Sequence, residues 1–454
     1  MNEKEVKEKE LHFQQLMEDM ESENLKAFRE LFLSLHAYEQ GQFYLKLPKS
    51  MRVRLYSYMS PVELADMFDL LEEEKSDIAD YFLEMSPEYA VAMISNMYSD
   101  NAADLLHQVG NQEIIADYLK RMNQDDASAI QDLMHYQDDT AGAIMTREFI
   151  SIIGHQSVRS AMHVLKSRAA MAETIYYVYV INQDEKLRGV ITLKDLIIND
   201  EEALIFEIMN ERVISVNVDD DQEDVAQRFR DYDFLALPVI DAKGRLQGIV
   251  TVDDIIDVID DEAVSDYSGL AGVDVEEVSK NPFCAASKRL PWLIGLVFLG
   301  LGTAFLINHY ENIMEKEVAY LAVFLTVITG TAGNAGTQSL AVAVRRLTLK
   351  DKEKNFSWQM IFSELATGMI TGLVVGCAIF LIVLLWKKNL WFGFAVGFSM
   401  FAAINVGSLA GSFIPTGMKK LGVDPAVASG PFISTLSDLT SVFIYFNIAR
   451  LFLL

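Results

Sequence analysis

The residue that most needs a chemical explanation is Asp438. It sits within Gly430 to Phe446 (GPFISTLSDLTSVFIYF), inside the last apolar run of the sequence, where a carboxylate in hydrocarbon costs several kcal/mol. At helical spacing Ser434, Asp438, Ser441 and Tyr445 fall on one face. Such a stripe aims at a water-filled path or at another helix. No Lys or Arg lies deep in any apolar run to neutralise the acid, so a cation in the path is the better partner. A structural carboxylate bonded to a neighbouring helix is the alternative.

A second polar stretch, TGTAGNAGTQSLA (Thr329 to Ala341), interrupts another apolar run. Gly330, Gly333 and Gly336 let backbones approach closely, while Asn334, Thr337, Gln338 and Ser339 offer neutral oxygens. A polar, glycine-rich break is tolerated in a span only where it is buried or lines a cavity. Asn405 is expected to add to the same surface. Gly368, Gly372 and Gly376 form a small-xxx-small face, which reads as helix packing. Other chemistries find little support. No H-E-x-x-H is present, and the seven His do not pair at ligand spacing in any span. The two Cys, Cys284 and Cys377, exclude a disulfide framework or a cysteine zinc site.

The elements around these residues divide the 454-residue chain unevenly. From Lys288 onward there are 13 Lys+Arg against 8 Asp+Glu, leaving 25 against 57 in the first 287 residues. An acidic soluble part is therefore joined to an apolar part. The acidic surface repels nucleic acid and attracts metal ions. Residues 1–140 read as an all-α superhelical domain built on a recurring helix start. The copies are MSPVELADMF from Met59, MSPEYAVAMI from Met85 and a looser YSDNAADLLHQV from Tyr98. A Ser can cap each helix, and Pro opens the two closer copies.

Residues 141–260 hold an internal repeat. VYVINQDEKLRGVITLKDLI (Val178 to Ile197) matches LPVIDAKGRLQGIVTVDDII (Leu237 to Ile256) at an offset of 59. Each copy reads as strand, polar turn, strand and a helix capped by Thr or Asp, and the pair resembles tandem CBS domains of α/β fold. In that family the G-x-x-T-x-x-D pattern, here Gly189, Thr192, Asp195 and Gly248, Thr251, Asp254, often holds the ribose of an adenine nucleotide. Simple helix capping is the competing reading. Residues 261–287 form an acidic connecting helix.

Five apolar runs follow within 288–454, at about 290–308, 318–344, 358–386, 390–418 and 425–453, each near the length of a spanning helix. Basic residues at Lys288/Arg289, Arg345/Arg346 with Lys350 to Lys354, and Lys419/Lys420 mark three loops as cytosolic, outweighing the Lys387–Lys388 turn. The N-terminus, charged and without a signal-peptide core, should be cytosolic too. Five spans then put the C-terminus outside.

An acidic helical domain, a CBS pair, an acidic connector and five spans carrying G-N-A-G-T-Q-S and T-L-S-D-L-T motifs resemble the MgtE family of Mg²⁺ transporters over nearly the whole chain. The resemblance implies a multi-pass protein of the bacterial inner membrane. It implies a homodimer in lipid, with the pore between two five-helix bundles, Asp438 as pore carboxylate and Asn334 at the entrance. It assigns cytosolic metal sensing to Asp221, Glu223, Asp233, Asp254 and Asp257 in the second CBS repeat. Glu262 and Asp266 in the connector join them, with Asp424 before the last span and Asp100 and Asp104 in the helical domain. Mg²⁺ is the implied ligand, and ATP a further one at Tyr177, Asp195, Phe234, Thr251 and Asp254. Two departures stand out: Ser265 where the family often has an acid, and Lys194 where nucleotide-binding members carry Arg. Mg²⁺ dehydrates reluctantly and is held through waters by one or two carboxylates. Two facing Asp438 side chains ringed by neutral oxygens would bind it and still release it. Competing readings are a sensor without transport, a carrier of Co²⁺ or Mn²⁺, and an enzyme.

Overall fold

The computed structural model describes residues 3–71, 75–273, 282–313, 318–349, 358–421 and 428–453. It forms two compact units, Met1–Ile259 and Asp260–Leu454.

The first unit opens with α1 (Glu3–Glu21), α2 (Leu25–Phe32), α3 (Ala37–Lys46), α4 (Lys49–Tyr58) and α5 (Pro61–Phe68). It continues with α6 (Lys75–Glu84), α7 (Pro87–Ile94), α8 (Ser99–Val109), α9 (Gln112–Arg121) and α10 (Gln124–Leu133). The repeated phrase sets the starts of two of these. Ser60 closes a capping box with Glu63 ahead of Pro61, and the Ser86 hydroxyl accepts from the Tyr89 N–H. The third copy corrects the expectation. The α8 N-cap is Tyr98, which makes no side-chain cap bond, and Ser99 lies inside the helix. Its hydroxyl is engaged elsewhere, as shown below. Phe28, Phe32, Phe43, Leu64, Phe68 and Phe82 fill a core that continues without a break into Val225, Phe229, Leu237 and Val250 of the second CBS repeat.

The repeat builds two three-stranded sheets. The first is β1 (Ser151–Ile153), β2 (Tyr177–Ile181) and β3 (Leu187–Thr192), with α11 (Val158–Arg168) between β1 and β2. Next come α12 (Leu193–Ile198) and α13 (Ile205–Ile208). The second sheet is β4 (Val216–Asn217), β5 (Ala236–Ile240) and β6 (Leu246–Thr251), with α14 (Gln222–Tyr232) between β4 and β5. In each, the first pair is parallel and the second antiparallel. Even the bulge repeats, between Val180 and Ile181 and between Val239 and Ile240. The pattern glycines are needed for close approach. A Cβ on Gly248 would come within 2.5 Å of the Thr146 carbonyl oxygen, and one on Gly189 within 3.2 Å of that of Asn210.

Helix α15 (Val252–Ala271) opens in the first unit and closes in the second, so the end of the CBS pair and the start of the connector are one helix. The second unit continues with α16 (Pro282–Ile313), α17 (Val318–Leu349), α18 (Trp358–Lys387), α19 (Leu390–Lys420) and α20 (Gly430–Leu453). By length and composition α16, α18, α19 and α20 could each cross a membrane; α17, diluted by its polar stretch, is not among them. Two expectations change here. The stretch from Thr329 does not break α17, which is helical throughout, and Gly330 meets no neighbour, leaving Gly333 and Gly336 to make the close approaches. Side chains at Gly407 and Gly411 of α19 would collide with the Ala332 and Gly336 carbonyls, so α17 and α19 pack backbone to backbone.

Candidate metal centres

Three carboxylates meet in the first unit. Asp100 comes from the first turn of α8, Asp254 from the first turn of α15, and Glu173 from the loop before β2. One oxygen from each lies within 4.8 Å of the others, and this is the one such group of three among the described residues. Local structure holds each in place. The Thr251 N–H and hydroxyl donate to Asp254 Oδ2 at 3.2 and 2.5 Å, and the Glu173 N–H donates to the Glu148 carbonyl at 2.9 Å. Asp100 is 6 % exposed.

The electrostatics of the group oppose three free carboxylate charges. Asp100 Oδ1 and Glu173 Oε2 are buried without a hydrogen-bond partner, and a buried polar oxygen left so is costly. Burial, with the Asp254 charge next, pushes the Glu173 carboxyl up to about 8. Burial raises Asp254 to about 6 against the bonds from Thr251. Asp100 is driven well above the usual carboxylate range by burial and by Asp254. Protons or a cation must supply positive charge here. Three hard oxygen donors suit Mg²⁺ or Ca²⁺ rather than a soft metal. Beside the cluster, burial lifts Asp69 to about 7 although Asn101 and the Tyr98 N–H bond to it.

The other sensing candidates are dispersed. Asp104 is exposed one turn after Asp100. Asp221 caps α14, accepting from the Glu223 N–H at 2.9 Å, and Asp233 ends the same helix in the left-handed region at φ 53°. Asp257 is an exposed residue of α15. Glu262 and Asp266 stand four residues apart on α15 within the second unit. Asp424 lies outside the described residues.

Of the nucleotide candidates, Thr192 and Asp195 form a complete capping box at the start of α12, with bonds of 2.6 to 3.1 Å. Thr251 donates its N–H and hydroxyl to Asp254 in the same pattern. Tyr177 opens β2, and Phe234 stacks on Tyr232 at 5.5 Å. The capping reading is thus realised in the first repeat, and in the second the Thr bonds the equivalent acid.

In the second unit the α20 stripe faces α17. A Cβ on Gly333 would lie 2.8 Å from Ser434 Oγ and 3.7 Å from Asp438 Oδ1, so the α17 backbone runs directly beneath the carboxylate. The Tyr445 hydroxyl donates to the Leu321 carbonyl at 2.9 Å and pins the far end of the stripe. Asn334 is exposed. Asn405 does not join this surface as expected. A Cβ on Gly368 or Gly372 of α18 would meet its amide at 3.3 or 2.9 Å, so it belongs to the α18–α19 packing.

Sequence reasoning missed three acids. Glu364, at the start of α18, is buried, accepts from the Ser339 hydroxyl at 3.1 Å and lies 3.9 Å from Arg346. It was visible as the lone acid of its apolar run. Glu173 and Glu148 carry no such local signal.

Comparison with known proteins follows the same division. The chain matches the family model for a divalent cation transporter over residues 325–448, that for the MgtE intracellular N domain over 35–139, and CBS domains over 141–201 and 205–261. It is 61 % identical to the magnesium transporter MgtE of Enterococcus faecalis over 450 residues, covering 99 % of both chains. It is 38 % identical to that of Bacillus subtilis over 431 residues, covering 94 % of each. A crystal structure of the soluble part of a magnesium transporter is 58 % identical, covers 56 % of this chain and 99 % of its own, and superposes with a TM-score of 0.55. With both relatives matched along almost their full lengths, the chain belongs to the MgtE family of divalent cation transporters.

Proposed function

We propose that this chain carries Mg²⁺ across the bacterial inner membrane past Asp438, under control of an acidic cytosolic region that senses the same ion. The observation that carries the transport reading is the setting of Asp438. It lies in a helix long and apolar enough to span a bilayer, above the bare backbone of Gly333, with no ion pair to it found among the described residues. A structural carboxylate would have a protein partner there, and a permeating cation supplies one. The family is one of transporters, which points away from an enzyme.

In this reading residues 1–140 are the helical sensor, 141–260 the CBS pair, 261–287 the connector and 288–454 a membrane domain of five spans, α17 being the fifth. Two copies pair so that their Asp438 side chains face one another, with Asn334 at the entrance. Cytosolic Mg²⁺ binds first at Asp100, Glu173 and Asp254. Asp104, Asp221, Glu223, Asp233, Asp257, Glu262, Asp266 and Asp424 add weaker sites, and occupancy closes the path. A ligand shifts such an equilibrium only by its differential affinity for the two states, and a site built from three chain segments exists only when they are together. ATP is assigned to the CBS pair through Tyr177, Asp195, Phe234, Thr251 and Asp254, since a relative's cytosolic domain, 31 % identical with a TM-score of 0.51, was solved with ATP.

The test is Mg²⁺ uptake in a Mg²⁺-requiring bacterial strain, comparing the wild type with Asp438→Ala at equal membrane levels. Uptake lost in the variant supports the reading. Undiminished uptake removes Asp438 from the path, and a wild type that carries Co²⁺ or Mn²⁺ but not Mg²⁺ changes the substrate.

A further inference from the structure

The three carboxylates of the cytosolic cluster come from segments far apart in sequence, and one short stretch, Thr146 to Glu148, touches all three. Thr146 pairs with Ile249 in both directions, at 2.8 and 3.0 Å, fixing the end of β6 from which Thr251 reaches Asp254. The Glu148 carbonyl accepts the Glu173 N–H at 2.9 Å. The Glu148 side chain does the rest. Its Oε2 accepts from the Ser99 hydroxyl at 2.9 Å and the Ser99 N–H at 3.3 Å, and also from Thr146 Oγ1 at 2.6 Å and the Arg147 N–H at 3.1 Å. Ser99 is the first residue of α8 and Asp100 is the second. The Arg147 guanidinium adds an ion pair to Asp132 of α10 at 3.1 Å.

Helix α8 lacks a cap of its own, because Tyr98 provides no side-chain acceptor. Its free N–H groups and dipole call for an acceptor, and an anion is the best one. Glu148 supplies it from the other side of the junction between the helical region and the CBS pair. We infer that Glu148 is the positioning residue of the cation sensor: it binds no metal itself but clamps the start of α8, and so holds Asp100 against Glu173 and Asp254. This inference rests on the sensing reading above. Three like charges repel, and a clamp that holds them together before the cation arrives raises affinity by removing that cost from binding.

Electrostatics alone also predicts that losing the Glu148 charge weakens cation binding, so the variants are chosen to separate the two causes. Glu148→Ala removes charge and acceptor; Glu148→Gln removes the charge but keeps an acceptor oxygen; Ser99→Ala removes a donor and leaves every charge in place. The measurement is hydrogen exchange at residues 99–103 of the full-length protein in detergent, titrated with MgCl₂, alongside melting at saturating MgCl₂ to confirm folding. Clamping predicts that Glu148→Ala raises the half-point of protection about tenfold, a coupling of ordinary size. Glu148→Gln should recover part of the loss. Ser99→Ala should raise the half-point by itself, and should add little in the Glu148→Ala background. Equal shifts for Ala and Gln with none for Ser99→Ala would reduce Glu148 to a distant charge and overturn the proposal. So would an unchanged half-point in Glu148→Ala. Failure of Mg²⁺ to protect the wild type is a distinct result, which removes the sensing reading and the clamp with it.

Discussion

The cytosolic cluster and the Asp438 stripe use the same chemical group in opposite ways. The cluster gathers three carboxylates from three segments, buries their oxygens and leaves two of them unpartnered. The stripe offers one carboxylate per chain on a single helix, above glycine backbone and beside neutral hydroxyls. A site that must hold an ion long enough to report its concentration profits from convergent charge, because affinity grows with the number of ligands. A site that must pass ions on cannot hold them so firmly. On the roles proposed above, carboxylate count per chain, more than acidity as such, separates a sensor from a path.

The largest expected effect lies in the membrane unit. Asp438→Asn keeps the shape and removes the only charge of the stripe, so Mg²⁺ uptake should fall by more than about tenfold, or roughly 1.4 kcal/mol or more, with little change in melting. Retained uptake with altered Mg²⁺ control would break the comparison by making Asp438 a sensor. The cluster should respond the other way. Asp100→Asn or Glu173→Gln removes a buried carboxyl whose ionisation burial and its neighbours oppose, so the metal-free protein should melt higher while the protection conferred by Mg²⁺ shrinks. Uptake at low internal Mg²⁺ should persist. A variant that loses uptake as well would erase the division of labour.

Proton binding sharpens the same contrast. Glu173, raised to about 8, and Asp254, raised to about 6, are both above their unfolded values. For such groups the stability tied to the protonated form is complete below pH of about 4 and is lost as pH rises through the folded values. In EDTA the melting temperature of the full chain should therefore fall between about pH 5 and pH 9. Added Mg²⁺ should restore it, with a larger increment at pH 9 than at pH 5, because there it no longer competes with protons. A Mg²⁺ increment independent of pH would mean that the ion binds elsewhere.

What could be read in advance follows physical range. The CBS repeat declared itself at a fixed offset, because strand, turn and cap are local devices, and the structure adds a bulge shared by both copies. The helix starts at Ser60 and Ser86 were legible for the same reason. Ser99 looked like a third cap and is not one, since its hydroxyl serves an acceptor 49 residues away. Asp438 was conspicuous by its cost in an apolar run, whereas Glu173 looks like any solvated acid until the fold brings Asp100 and Asp254 to it. Asn405 misleads through composition: a polar residue in a span suggests the surface of the α17 polar stretch, yet it fills the space left by Gly368 and Gly372. Periodicity gives a residue's face, but not which neighbour that face meets.

The smallest expected effect tests how tightly the cluster depends on its local scaffold. Thr192 and Thr251 are equivalent in the two CBS repeats, and each bonds the acid three residues on. Asp195 is half of a capping box and stands outside the cluster, while Asp254 is also a member of it. Thr192→Val should therefore cost only what a lost cap costs, about 1 kcal/mol, and leave the Mg²⁺ half-point unchanged. Thr251→Val should cost a similar amount and also free the Asp254 carboxylate to turn, moving the half-point upward by a few-fold. Melting and Mg²⁺ titration of the two full-length variants side by side decide it. Equal half-points would mean that Asp254 is held by the packing of α15 rather than by Thr251, and the sensor would then be more rigid than its hydrogen bonds indicate.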